Sequence, residues 1–258
     1  MSVVSNRLLE KRVLITGAGR GIGQAMAVIC SQHGAKVAIC SRTESELQET
    51  ASKLQSQVSM HVADVTNQHH VETLIKSIVQ QWGGLDILIN NAGRGQSSKG
   101  GFETLDSDEL LQIMNLNVVA VHRVSKAALP HMEEGACIIN VSSRAGKIGL
   151  PNMSFYVASK FALEGLTASM AQELKKKRIR VNSISPGMVS TQSFPKSVDQ
   201  PGVRTPESVH DGLFVVVESS VTGHYLHVDE LDACRARNLP DSLALKPIHE
   251  PTFGPASA

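Results

Sequence analysis

Arg12-Val13-Leu14-Ile15-Thr16-Gly17-Ala18-Gly19-Arg20-Gly21-Ile22-Gly23 is the stretch that decides the fold. Five β-prone residues run straight into glycines, and an apolar-periodic segment (Ile22, Ala25, Met26, Ile29) follows, ending near Gly34. Strand, glycine turn and helix, in that order, are the setting in which a dinucleotide-binding loop works. Glycines let the backbone approach a pyrophosphate, while the helix start offers free N–H groups and a positive dipole end. Gly17, Gly19, Arg20, Gly21, Ile22 and Gly23 are therefore candidate cofactor contacts.

Working outward, Lys36–Cys40 reads as a second strand and ends in Ser41-Arg42. An acidic residue at this strand end accepts bonds from the ribose 2′-hydroxyl of NAD, whereas an arginine accommodates the 2′-phosphate of NADP. Here the acid is missing, Arg42 is in place, and Arg20 adds a second cation. Both arginines also fit as solvated loop residues, but the combination favours NADP(H) over NAD(H). Helix Glu44–Gln55, strand Val58–Val62 with Asp64-Val65, helix Asn67–Trp82 and strand Leu85–Ile89 continue the rhythm as far as Asn90-Asn91-Ala92-Gly93. Alternating strands and helices predict an α/β fold with a doubly wound parallel sheet. Ligands of such sheets lie off the carboxyl ends of the strands, where Asp64, Asn90 and Ser143 fall. No internal repeat or second domain is visible, so residues 1–258 read as one domain.

Asn140–Lys160 carries the chemistry. A serine pair ends an apolar run (Cys137–Val141), a glycine-containing loop follows, and then comes Tyr156-Val157-Ala158-Ser159-Lys160. Tyr and Lys four apart share a helix face, and an ammonium near a phenol lowers its pKa toward the range of a general acid or base. A surface i,i+4 pair is the plainer reading of Tyr-x-x-x-Lys taken alone. Upstream, a helical region from about Asp106 to Met132 contains Asn117, a poor mid-helix residue. It is either a locally satisfied core group or part of a site. A helix over Ser154–Lys177 ends in a solvated basic run, and strand Ile179–Ile184 precedes Ser185-Pro186-Gly187. A helix near Pro206–Ser219 and a strand Tyr225–Val228 come next. From Asp229 onward four prolines and no periodicity predict a surface-wrapped or partly disordered tail.

Composition excludes more than it selects. The 258 residues are 41% hydrophobic and 19% charged, with a net charge of +1, so there is no electrostatic case for nucleic acid or an anionic membrane. No apolar run is long enough for a membrane span, and the short stretch before the first strand leaves no room for a signal peptide. Widely spaced Cys30, Cys40, Cys137 and Cys234 suggest buried free thiols in a reducing, cytoplasmic setting. No metal site is expected: His224 and His227 sit three apart in a strand, and His69-His70 begins a helix without an evident ligand partner.

These motifs make the chain resemble the short-chain dehydrogenase/reductase family over roughly Arg12 to Asp229. Thr16–Gly23 matches its Thr-Gly-x-x-x-Gly-x-Gly, and Asn90–Gly93 matches its Asn-Asn-Ala-Gly. Asn117, Ser143, Tyr156 and Lys160 fall on its active-site tetrad, and Pro186-Gly187 follows the sixth strand, with Thr191 at the nicotinamide-contacting position. The resemblance implies a Rossmann fold of about seven strands. It implies NADP(H) contacts at Ser41, Arg42, Asp64, Val65, Asn91, Ala92, Gly93, Tyr156, Lys160, Pro186, Gly187, Val189 and Thr191 in addition to the glycine turn. Tyr156 would donate the proton, Ser143 hold the substrate oxygen, Lys160 grip ribose hydroxyls, and Asn117 anchor a water. NADPH-dependent reduction of a ketone or aldehyde leads, with a small-molecule carbonyl or alcohol as substrate and a homodimer or homotetramer as assembly. The alternatives are alcohol oxidation with NAD(P) or a non-catalytic NADP-binding sensor or scaffold. Two departures stand out. His227-Val228-Asp229-Glu230-Leu231 replaces the family's Val-Asp-Gly-Gly, and the lid between Gly187 and Pro206 is short. Met188, Val189, Phe194, Ile148, Leu150 and Met153 either line a pocket or belong to the core.

Overall fold

The computed structural model describes residues 6–98, 100–192 and 194–249. β1 (Arg12–Thr16) leads into α1 (Gly21–Gln32), β2 (Lys36–Ser41), α2 (Glu44–Ser52), β3 (Val58–Val62), α3 (Gln68–Trp82) and β4 (Leu85–Asn90). α4 (Ser107–Met114), a π-helical turn (Asn115–Val119) and α5 (Ala120–Ala128) precede β5 (Met132–Val141). After α6 (Ser154–Leu174) come β6 (Arg180–Ser185), β7 (Met188–Val189), β8 (Val203–Arg204), α7 (His210–Glu218), β9 (His224–His227), α8 (Val228–Ala236) and β10 (Leu245–Pro247).

The main sheet has eight strands in the order β10-β9-β6-β5-β4-β1-β2-β3. Seven are parallel, and β10 adds an antiparallel edge beside β9. Alternation along the strands splits the core. Val13, Ile15, Ile39 and Ile89 pack with Met26 of α1 and Phe214 of α7, while Leu14, Ala38, Leu88 and Ile138 face α3 and α5. Each large side chain buried in this way contributes about 1.5–3 kcal/mol. The chain winds from β1 to β3 on one side of β1 and returns at β4 on the other. That reversal opens a crevice at the strand ends, the usual ligand position in such sheets.

Three expectations need correction. The helical region expected over Asp106–Met132 is present, running through α4, the π turn, α5 and a 3₁₀ turn (Leu129–His131) without a gap, but β5 already starts at Met132, four residues before the expected Ala136. Asn117 sits in the π turn with its side chain bonded outside the helix. The tail, expected to be surface-wrapped or partly disordered, forms α8 and β10 as far as the described residues run, and Leu231, Leu245 and Ile248 in it are buried. The expectation of about seven strands thus counts the parallel ones and misses β10. Residues 250–258 lie outside the described part.

Candidate active site

The glycine turn is held from below. Asn91 Nδ2 donates to the carbonyls of Thr16 and Gly17, both at 3.0 Å, and Thr16 Oγ1 accepts from the Asn91 and Ala92 N–H groups. Gly17 has φ +64°, and a Cβ on it would lie 2.8 Å from Ala92 Cα. A Cβ on Gly23 would overlap the Gly17 carbonyl and the Asn91 amide. Arg20, at the start of α1, supplies no side-chain cap, so the first-turn N–H groups there are available to an anion. The turn therefore fits a dinucleotide pyrophosphate. Asn90, one residue earlier, is structural: it is buried and donates to Ser125 and Asn140.

Around this turn the structure gathers the other candidate contacts. A Cβ on Gly19 would meet Ser41 Oγ at 2.9 Å, and one on Gly21 would meet Thr191 Cγ2 at 3.3 Å. Arg42 is exposed and acts electrostatically on Asp64. The Asp64 carboxyl is held below its usual range: burial pushes it up, and hydrogen bonds from the Thr66 N–H and hydroxyl outweigh that. Val65 is buried and its carbonyl accepts from Arg123. Gly187 has φ +80° and starts a small two-stranded pairing in which buried Val189 lies beside Arg204. Met188, Phe194 and Ile148 are exposed.

The four predicted catalytic residues lie on the end of β5, on α6 and on the π turn. Ser143 caps a 3₁₀ turn, accepting from Ala145 N–H at 3.1 Å, and its side chain lies near enough to Tyr156 to act on the phenol. Lys160 Nζ donates to the Val141 carbonyl at 2.9 Å and lies 5.7 Å from the Tyr156 ring centroid. Asn117 is buried: Oδ1 accepts from Arg94 N–H, while Nδ2 donates to the Arg94 carbonyl and Ser159 Oγ. Ser159 Oγ in turn donates to the Tyr156 carbonyl. The Asn117 amide is thus committed to the loop after β4 and to α6.

One electrostatic expectation is reversed. Tyr156 is pushed above its ordinary pKa, by burial first, with neighbouring Ser143 only partly opposing. Burial likewise lowers Lys160 to about 8, and the Glu164 carboxylate works against that. The ammonium is spent on Val141 instead of the phenol, so its proximity does not outweigh desolvation here.

Several residues of the site escape the sequence reading. Glu164, one helical turn beyond Lys160, is fully buried, accepts from Ser183, and pairs with Lys147 at 3.2 Å. Lys147 donates to the Ile248 carbonyl, tying the serine loop to the C-terminal segment. Arg204 clamps the lid to Asp229 and Asp232. Glu46 pairs with Arg20 at 3.2 Å. An i,i+4 Lys-Glu spacing is the signal available for Glu164; the long-range pairs leave none.

A cavity of about 290 Å³ lined by Arg7, Asp211, Glu218, Arg235 and Asp241 shares no residue with this cluster. Its charges already pair with one another. All four cysteines are buried and unbridged.

Sequence comparison decides the family. The profile described as short chain dehydrogenase matches residues 11–202. The chain belongs to the short-chain dehydrogenase/reductase family. This short-chain dehydrogenase/reductase is 36% identical over 201 residues to the trans-4-hydroxycyclohexanecarboxylate dehydrogenase of Sinomonas cyclohexanicum, covering 74% of this chain and 77% of that one. A Burkholderia cenocepacia short chain dehydrogenase in complex with NADP superposes with a TM-score of 0.78 at 31% identity, covering 86% and 97% of the two chains. The 3-ketoacyl-(acyl-carrier-protein) reductase of Brucella melitensis, complexed with NADH, gives 0.79 at 29% identity, with coverage of 86% and 97%. The protein is an oxidoreductase of the type acting on CH–OH and C=O groups. No helix among the described residues is long and apolar enough to cross a membrane.

Proposed function

We propose that this chain catalyses NADPH-dependent reduction of a ketone or aldehyde to an alcohol. The observation that carries the reading is the convergence of Ser143, Tyr156 and Lys160 at strand ends beside the glycine turn. A bound nicotinamide would supply the hydride. Ser143 and Tyr156 hold the carbonyl oxygen as it gains charge, and the Tyr156 hydroxyl delivers its proton there. A phenol kept protonated by burial suits a donor. Lys160 takes the ribose hydroxyls, Asn117 fixes the loop that carries Asn91, Ala92 and Gly93, and Asp64 and Val65 border the adenine end. Gly187, Val189 and Thr191 hold the nicotinamide side.

Arg42 supports NADP(H) over NAD(H); the relative crystallised with NADP supports the same choice, and the one crystallised with NADH supports the other. A second reading, alcohol oxidation, is favoured by the dehydrogenase named above. The whole chain would act as one domain in the cytoplasm, and exposed Leu111, Val119 and Phe161 on and around α4–α6 support a homodimer or homotetramer. Calorimetric titration with NADPH and with NADH, followed by a ketone panel scored for NADPH oxidation, tests the proposal. Tighter NADPH binding with turnover is expected; tighter NADH binding would overturn the cofactor choice.

A further inference from the structure

Opposite Arg20, the first turn of α2 brings a carboxylate to the end of the dinucleotide crevice where the cofactor choice is made. Glu46 Oε1 lies 3.2 Å from Arg20 Nη1, with the two side chains 30% and 48% exposed. The same carboxylate borders the glycine turn: a Cβ on Gly19 would stand 2.9 Å from Glu46 Cβ and 3.0 Å from Oε2, with Ser41 Oγ 2.9 Å away on the other side. Glu46 is no loose surface group. Its neighbour Leu47 is fully buried, and Thr50, one turn on, donates from Oγ1 to the carbonyls of Ala18 at 2.9 Å and Gly19 at 3.1 Å. α2 is thereby fixed to the turn, and Glu46 is held with it.

Of the two cations that favour a 2′-phosphate, one is therefore already neutralised. Arg42 is exposed and, among the described residues, makes no ion pair. A phosphate approaching Ser41 and Arg42 meets a carboxylate beside it, and like charges at this range repel. An ion pair exposed to this degree is weak, so a doubly charged phosphate can draw Arg20 away from Glu46.

Resting on the NADP(H) reading above, we propose that Glu46 is a specificity-determining residue that opposes the 2′-phosphate, occupying Arg20 until the phosphate displaces it. Arg42 then provides most of the preference for NADP(H), and Glu46 limits it. The opposite role is also available to a carboxylate at this place, since it can accept from a ribose 2′-hydroxyl. The contact with Arg20 favours the first role.

Calorimetric titration of the full chain with NADPH and with NADH tests this on the wild type, Glu46→Gln, Arg20→Ala and the double variant. Glu46→Gln is isosteric and falls on a partly exposed side chain, and its thermal unfolding checks the fold. NADPH affinity is expected to rise about tenfold in Glu46→Gln, with NADH unchanged within about twofold, the size of one charge-assisted contact. Arg20→Ala is expected to weaken NADPH several-fold more in the Glu46→Gln background than alone, because only there is Arg20 unopposed. Weaker NADH binding in Glu46→Gln with no NADPH gain would overturn the proposal in favour of a ribose acceptor. No change in either would reduce Glu46 to a surface ion pair, overturning it too. The failure of the NADP(H) reading is separate: it shows in the wild type as tighter NADH binding and in Arg42→Ala as unchanged NADPH affinity.

Discussion

Lys160 sends its ammonium to the Val141 carbonyl at 2.9 Å, across the gap between α6 and the end of β5. This bond fixes the lysine under Tyr156 at the cost of burying a charge, which brings its pKa down to about 8, with Glu164 opposing. Between pH 8 and the ordinary lysine value the unfolded chain holds a proton that the native site has released, so native stability rises with pH through that window. Lys160→Met removes the burial cost while keeping the stem. It is expected to abolish turnover yet stabilise the protein by about 1–3 kcal/mol at pH 7, an advantage that shrinks as pH climbs from 8 past 10. Urea unfolding across that range checks the sign; a Met variant less stable at pH 7 would refute the account.

Tyr156→Phe removes the hydroxyl on which Ser143 acts and leaves the ring in place. Loss of a general acid of this kind costs about a hundred- to ten-thousand-fold in turnover. The NADPH dissociation constant should stay within about threefold, because the binding groups on the glycine turn are untouched. Stopped-flow turnover paired with calorimetry separates the two. Unchanged turnover would remove Tyr156 from the proton-donor role.

Asn117 and Arg94 exchange two hydrogen bonds, and Ser159 receives a third from the Asn117 amide. Truncation to alanine removes the partners of the part-buried Arg94 N–H and carbonyl, at up to about 1–3 kcal/mol for each group left unpaired. Asn117→Ala should therefore lower the unfolding midpoint markedly as well as impair activity. Asn117→Asp should not rescue it, since a carboxylate accepts but cannot donate to Arg94 and Ser159. Denaturant titration of both variants decides; a midpoint unchanged in Asn117→Ala would exclude the scaffolding role.

The fold is legible wherever a local rule speaks clearly. Arg12–Gly23 announces strand, turn and helix because β-propensity, glycine placement and apolar period all change within twelve residues. Ser143, Tyr156 and Lys160 are legible because helical spacing links two of them and a strand end supplies the third. What stays hidden depends on partners distant in sequence. Asn117 looks like one awkward residue in a helix, since its partner Arg94 is 23 positions away. Glu46 reads as one more acid on an exposed helix, and only the packing of α2 against the glycine turn sets it apart. The tail lacks periodicity because β10 is three residues long and its pairing with β9 is set by burial of Leu245 and Ile248. The direction of the Tyr156 shift is hidden for the same reason: spacing shows the neighbouring ammonium but not that Lys160 is buried or that desolvation outweighs it at the phenol.

β10 covers the β9 edge, Ile248 N–H donates to the Gly223 carbonyl, and the Ile248 carbonyl accepts from Lys147 on the serine loop. A chain ending at Ala244 loses the burial of Leu245 and Ile248, worth about 1.5–3 kcal/mol each. It also bares an edge strand, which promotes association. With typical stabilities of about 5–15 kcal/mol, the truncated protein should melt well below the full chain and aggregate on heating. Ile248→Ala, which keeps the backbone bond to Lys147, should lose stability by about 2–5 kcal/mol while retaining most of its turnover. If the truncated chain instead kept both its melting temperature and its rate, the C-terminal strand would be dispensable and the Lys147 tether would have no part in holding the serine loop.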